Sequence, residues 1–222
     1  MVVDIYKRVF DYMRKNFADS ILFVISSSVL GFLSIALPIL GAIIYSYFYP
    51  NLVSWYYTKV TGDNINPDYK TAFLSLLIPN LLASIGMITI LYSLYCTIVP
   101  IEYIDLFRLT SYQYILYNPT LMIVGWLIIT VSMILSVLLL YTFYGSILGK
   151  VNKLSIYPEK SLILLVYILL YTIIASVIFA IIYLIYALAI SISYGILMFL
   201  ILLTIFFVPT VTLIALLKAK EL

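Results

Sequence analysis

Charged residues stand in groups along this chain, and the stretches between the groups are long enough to decide its surroundings. No Asp, Glu, Lys or Arg occurs between Asp19 and Lys59, Lys70 and Glu102, Arg108 and Lys150, or Lys160 and Lys218, which leaves windows of 39, 31, 41 and 57 uncharged positions. A helix needs about 20 apolar residues to cross a hydrocarbon layer of about 30 Å. The first three windows each hold one crossing and the fourth holds two. Of the 222 residues, 65% are apolar or aromatic and 9% are charged, against about 45–50% and about 25% in a soluble domain. So few charges do not coat a protein in water, and the sequence predicts a multi-pass integral membrane protein with no nucleic-acid partner.

The expected fold is an all-α, polytopic transmembrane helical bundle of about five spans, near 20–49, 71–99, 119–148, 161–188 and 193–217, forming one unit over 20–222. Strands are excluded because a membrane barrel alternates apolar and polar residues, whereas Ile134-Leu135-Ser136-Val137-Leu138-Leu139-Leu140 does not. The last window is too long for one crossing, so a hairpin is placed at Ser191-Ile192-Ser193-Tyr194-Gly195, where small and polar residues interrupt the apolar run. The alternative has six membrane segments: Pro38 splits the first window, and Ile39 to Tyr57 forms a re-entrant or interfacial piece.

Residues 1–19 space Ile5, Val9, Met13 and Phe17 four apart among Lys7, Arg8, Asp11, Arg14 and Lys15. This predicts an amphipathic helix whose apolar stripe suits the membrane surface. The accompanying acids and the long apolar run that follows are unlike a cleaved signal. Five spans put Lys7, Arg8, Arg14, Lys15 and Arg108 on one side of the membrane and the remaining lysines on the other. The overall count and the dense basic flank of the first helix then point opposite ways; the flank favours an N-terminus inside the cell membrane.

Absences bound the chemistry. There is no histidine and the single cysteine is Cys96, which removes imidazole ligation, CxxC redox chemistry and intrachain disulfides. The expected spans hold no titratable carboxylate or amine, the usual mark of proton relays and pumps. No catalytic, cofactor or metal site is expected. The best cluster for a lipid-acting enzyme is Glu102, Asp105 and Arg108, which an interfacial segment explains equally well. Asp63, Asn64, Asn66 and Asp68 lie in a polar turn but lack the spacing of a calcium loop.

Hydroxyls and one amide inside the spans, namely Ser26, Ser27, Ser28, Ser34, Ser75, Asn80, Ser84, Thr89 and Ser93, fit interhelical packing, or the lining of a route for an uncharged solute. Pairs four apart, Ser27/Gly31, Ser132/Ser136, Gly145/Gly149, Ser176/Ala180 and Ala187/Ser191, mark packing seams. Tyr45, Tyr47, Tyr49, Tyr141 and Tyr144 read as anchors at the membrane edge, while Tyr171 and Tyr183 each need a hydroxyl partner.

Asp4-Ile5-Tyr6-Lys7 with Tyr12 and Asn16 is echoed by Asp105-Leu106-Phe107-Arg108 with Tyr114 and Asn118, a pattern open to duplication or to coincidence. The two amphipathic lead-ins, the second ending Tyr117-Asn118-Pro119, together with Phe206-Phe207-Val208-Pro209 in the last span, resemble polytopic proteins of archaea and bacteria. Those proteins are related to the membrane portion of certain glycerophosphodiester phosphodiesterases. The resemblance implies a membrane bundle, usually of six helices, without the soluble catalytic domain and so without active-site residues. Usage rich in Ile, Tyr and Lys with one glutamine, Gln113, suits a thermophilic archaeon. The expected function is that of a non-catalytic membrane protein, a scaffold or accessory subunit that binds lipid and a protein partner or a second copy of itself. The alternative is a channel or facilitator for an uncharged or lipid-like solute.

Overall fold

The computed structural model describes residues 2–95, 118–189 and 192–222. They form helices α1 (Val2–Lys15), α2 (Phe17–Ala36), α3 (Pro38–Thr61), α4 (Tyr69–Tyr95), α5 (Pro119–Leu138), α6 (Leu140–Ile147), α7 (Pro158–Ala189) and α8 (Ile192–Glu221), and no strand is present among the described residues. The all-α bundle is as expected, but the first span is not.

Positions 20–49 are not one helix. Proline at 38 cannot donate to the preceding turn and disfavours a helical residue before it. Leu37 accordingly leaves the helical region, at φ −126° and ψ 77°, and Pro38 opens a new helix. Gly41 lets the two arms meet, because a Cβ there would run into the Leu33 carbonyl. α3 then returns antiparallel along α2: the Asn16 amide donates to the Val60 carbonyl (3.4 Å), Ser20 meets Tyr56 (2.9 Å), and Phe23 stacks on Tyr56 at 4.3 Å. The break at Pro38 is the one the six-segment alternative placed. The resulting piece is a full 24-residue helix running to Thr61, longer than the segment Ile39 to Tyr57 envisaged. Gly62, at φ 74°, ends it in the left-handed conformation that glycine adopts freely.

α4 packs antiparallel on α3, with Asn80 Nδ2 donating to Ser46 Oγ (3.2 Å) and Ser84 Oγ donating to the Pro38 carbonyl (2.6 Å). α5 returns along α4. Its start follows from the sequence: Pro119 takes the first helical position, and the Asn118 side chain accepts from the amides of Thr120 and Leu121. A Cβ added at Gly86 would sit 2.9 Å from the Gly125 carbonyl oxygen, and one at Gly125 would sit 2.9 Å from that of Gly86. The two backbones therefore cross closer than any side chain allows, and Ser132 Oγ ties the pair by donating to the Pro79 carbonyl (2.7 Å).

The expected span 119–148 also breaks, at Leu139, separating α5 from α6. The cause is an inserted side chain: Ser161 of α7 donates to the Leu138 carbonyl (2.9 Å) and accepts from the Tyr141 amide (3.1 Å), replacing bonds an unbroken helix makes to itself. α7 and α8 form a second long hairpin. α7 ends at Ala189 and α8 begins at Ile192, so Ser193, Tyr194 and Gly195 belong to α8 and not to the turn.

Outside and inside are exchanged relative to a water-soluble protein. Leu22, Ile25, Phe32 and Ile35 on α2, Ile123, Trp126, Val131 and Met133 on α5, and Leu162, Leu169, Ile173 and Val177 on α7 face outward, while Ser46, Ser75, Ser84, Ser132 and Ser161 are buried. Among the described residues α2, α4, α5 and α7 are long and apolar enough to cross a membrane, so the chain is a membrane-embedded, multi-pass protein. α3, which carries more Tyr and Ser, needs less apolar surface: it lies among α2, α4, α6 and α8 and buries Ala42, Ser46, Val53, Ser54, Tyr56 and Tyr57.

The tight core gathers at one end, where α1, the C-terminal ends of α3 and α8, and α6 converge. The apolar stripe of α1 faces protein there, with Ile5 and Val9 almost wholly buried. Tyr141 and Tyr144, expected at the membrane edge, belong to this core, and Tyr49 stacks on Phe143 at 6.0 Å. Tyr47 is exposed.

Candidate functional site

The charged side chains around this end make a network that closes the ends of the helices together. Arg8 of α1 pairs with Glu221 of α8 (2.9 Å), and Lys218 reaches the same carboxylate (3.0 Å) while lying over the Tyr167 ring. Lys220 donates to Asp63 Oδ2 (2.8 Å), which also accepts from the Tyr57 hydroxyl (2.9 Å). The Lys220 ammonium first, and then Tyr57, hold the Asp63 carboxyl below its usual range against a counteracting burial. Lys160 bonds the Leu222 main-chain oxygen (2.8 Å), and Lys150 bonds the main-chain oxygens of Ala219 and Lys220. Burial, with Lys160 and Lys220 nearby, lowers the Lys150 ammonium from its ordinary value.

The acids of the turn after α3 are committed to these structural roles and do not converge. Asp63 faces Lys220, whereas Asp68 accepts from the Thr71 amide (3.3 Å) and hydroxyl (2.7 Å) at the start of α4. The Thr71 hydroxyl holds the Asp68 carboxyl low. Among the described residues no three Asp, Glu or Cys side chains group as metal ligands do. Cys96 and the cluster of Glu102, Asp105 and Arg108 lie outside the described residues, as do most members of the second copy of the echo. Of its paired asparagines, Asn118 caps α5, whereas Asn16 binds the carbonyls of Tyr12 and Val60.

Six of the nine polar side chains named for a solute route are engaged with backbone or with another side chain. Asn80 and Ser84 join α4 to α3. Ser34, Ser75, Thr89 and Ser93 donate to carbonyls of their own helices at Gly31, Ala72, Ile85 and Ile90. The side chains of Ser26, Ser27 and Ser28 of α2 make no hydrogen bond to a described residue, and the Ser27 Oγ is in addition shut from solvent. One turn on, Gly31 opens on empty space, since a Cβ there would meet nothing within 4 Å. The small-residue seam Ser27/Gly31 is thus unoccupied, while the seam at Gly86, Gly125 and Ser132 is filled from within the chain. Tyr171 packs on Tyr6 (6.1 Å) and Phe207 (6.1 Å); the Tyr183 side chain lies outside the described residues.

A cavity of about 560 Å³ opens between α1, α7 and α8, within the ~300–1,000 Å³ of small-molecule sites. Its floor is Met13, Ala175 and Thr210, all buried, and Phe10, Phe17, Ile174, Ile178 and Phe206 form an exposed rim. Thr210 makes the floor apolar by turning its hydroxyl to Met13 Sδ (2.8 Å) and the Phe206 carbonyl. Arg14 contributes the one charge of the lining and forms no ion pair with any described residue. Sequence spacing put Met13 and Arg14 on one helix, but nothing in it joined them to Ala175 and Thr210.

Comparison with family models, curated proteins and solved structures finds no match to this chain.

Proposed function

We propose that this chain is a non-catalytic integral membrane protein that serves as a scaffold or accessory subunit, offering the Ser27/Gly31 face of α2 to a transmembrane helix of a partner protein or of a second copy. The observation that carries this reading is the contrast between its glycines. Gly86 and Gly125 are filled by each other, whereas Gly31 has no neighbour and stands one turn from a hydroxyl without a partner. Helices associate in lipid through close backbone approach at small residues; Gly31 leaves room for that approach and no described residue takes it. The facilitator alternative draws no support from Asn80 and Ser84, which are bound between helices.

The reading includes a sidedness. Because α2 and α3 form a hairpin, every Lys and Arg among the described residues falls at the end where the charged network sits. The conflict in the five-span count then disappears, and the basic side is inside the cell membrane, with both α1 and the end of α8 on it. Crosslinking in native membranes through a photoreactive residue at Ser27 or Ser28 tests the scaffold role. Adducts that vanish with Gly31→Ile support it, and a lone uncrosslinked chain overturns it.

A further inference from the structure

We propose that the cavity between α1, α7 and α8 holds one hydrocarbon chain of an anionic phospholipid, with the lipid phosphate bound by Arg14. Three features converge on this chemistry. The floor is apolar, since its only hydroxyl, that of Thr210, is turned to Met13 and to its own helix. The walls from α7 and α8 lie inside the window from Lys160 to Lys218, where the chain carries no charge and its outer surface is apolar, so the cavity opens toward lipid. Arg14 stands at its edge near the end of α1, just before the first spanning helix, and is exposed, with no carboxylate partner among the described residues. A guanidinium beside an apolar cleft matches a ligand with a phosphate at one end and methylenes at the other. The site is separate from the Ser27/Gly31 seam, and either can exist without the other.

The test uses the full chain in phosphatidylcholine nanodiscs containing phosphatidylglycerol with a diazirine in one acyl chain, followed by peptide mapping of the adducts. The expected result is labelling of α7 around Ala175 and of α8 around Thr210 in excess of the lipid-facing side of α5 around Trp126. Ile178→Trp, at the exposed rim, and Ala175→Trp, on the floor, are expected to abolish the cavity adducts and leave those on α5 unchanged. Thermal unfolding and monodispersity verify that each variant folds. Arg14→Gln is expected to lower the preference for the phosphatidylglycerol probe over a phosphatidylcholine probe about tenfold, and Arg14→Lys to restore part of it. Labelling spread evenly over α5 and α7 overturns the proposal, as do cavity adducts that survive Ile178→Trp. A headgroup preference that Arg14→Gln leaves unmoved overturns the phosphate assignment.

Discussion

Ser20 and Tyr56, 36 positions apart in the chain, share a hydrogen bond of 2.9 Å between their hydroxyls. The contact exists only because the chain reverses at Leu37, and it makes the α2–α3 hairpin testable at a single pair. A double-mutant cycle of Ser20→Ala and Tyr56→Phe, read by unfolding in bicelles, is expected to give a coupling of about 0.6 kcal/mol and no more than about 1.7 kcal/mol, the range for such bonds in membranes. No coupling would remove this link between the arms.

The glycines separate internal packing from the proposed docking. Gly125→Val is expected to destabilise the folded chain by about 1–3 kcal/mol, because the side chain would meet the Gly86 carbonyl and Ile90. Gly31→Ala should leave the melting temperature of the isolated chain unchanged, since its methyl enters open space, while weakening any association across α2. Equal losses of stability at both positions would contradict the arrangement.

Sidedness distinguishes the hairpin from a single first span. In a Cys96→Ala background, single cysteines at Lys15, Asn64, Asn152 and Lys220 are expected to react with a membrane-impermeant maleimide from the same side, and one at Leu37 from the other. A first span running through to Tyr49 would put Lys15 and Asn64 on opposite sides.

Acid should loosen the link between the turn after α3 and the end of α8. The Asp63 carboxyl is lowered from its ordinary value of 3.8, so its contribution is complete above that pH and is lost as pH falls through the lower folded value. Deuterium uptake at residues 62–68 should therefore rise below about pH 4, and Asp63→Asn should show raised uptake already at neutral pH. The Asp63–Lys220 pair is largely exposed, so the effect on global stability stays below about 1 kcal/mol.

The uncharged windows disclosed lipid as the surroundings and the ends of most helices, because a charge in hydrocarbon is costly wherever it stands. Asn118-Pro119 marked the start of α5 through purely local chemistry. The reversal at Leu37 escaped the same test. A turn made of leucine and proline carries no charge, so the window runs through it unbroken. α3 deepened the disguise, since a helix surrounded by other helices tolerates Tyr and Ser that otherwise read as a membrane edge. Tyr141 and Tyr144 misled for the same reason, their place in the core depending on Ser161, which breaks the helix from 20 positions away. The cavity was invisible in the sequence because its walls come from three distant segments, and nothing local joined Arg14 of α1 to Tyr171 of α7 or Thr210 of α8.

The uncharged reversal at Leu37–Pro38 also bears on how the protein is made. Nothing ionised must traverse the oily layer for α2 and α3 to enter it together, so the two arms can slip in as a preformed pair. With the proposed sidedness, the flanks that carry Lys15 and Lys59 never leave the compartment where translation took place. Orientation then no longer hangs on one leading helix: basic anchors hold both ends of the pair, and flipping it would mean dragging each of them through the acyl chains.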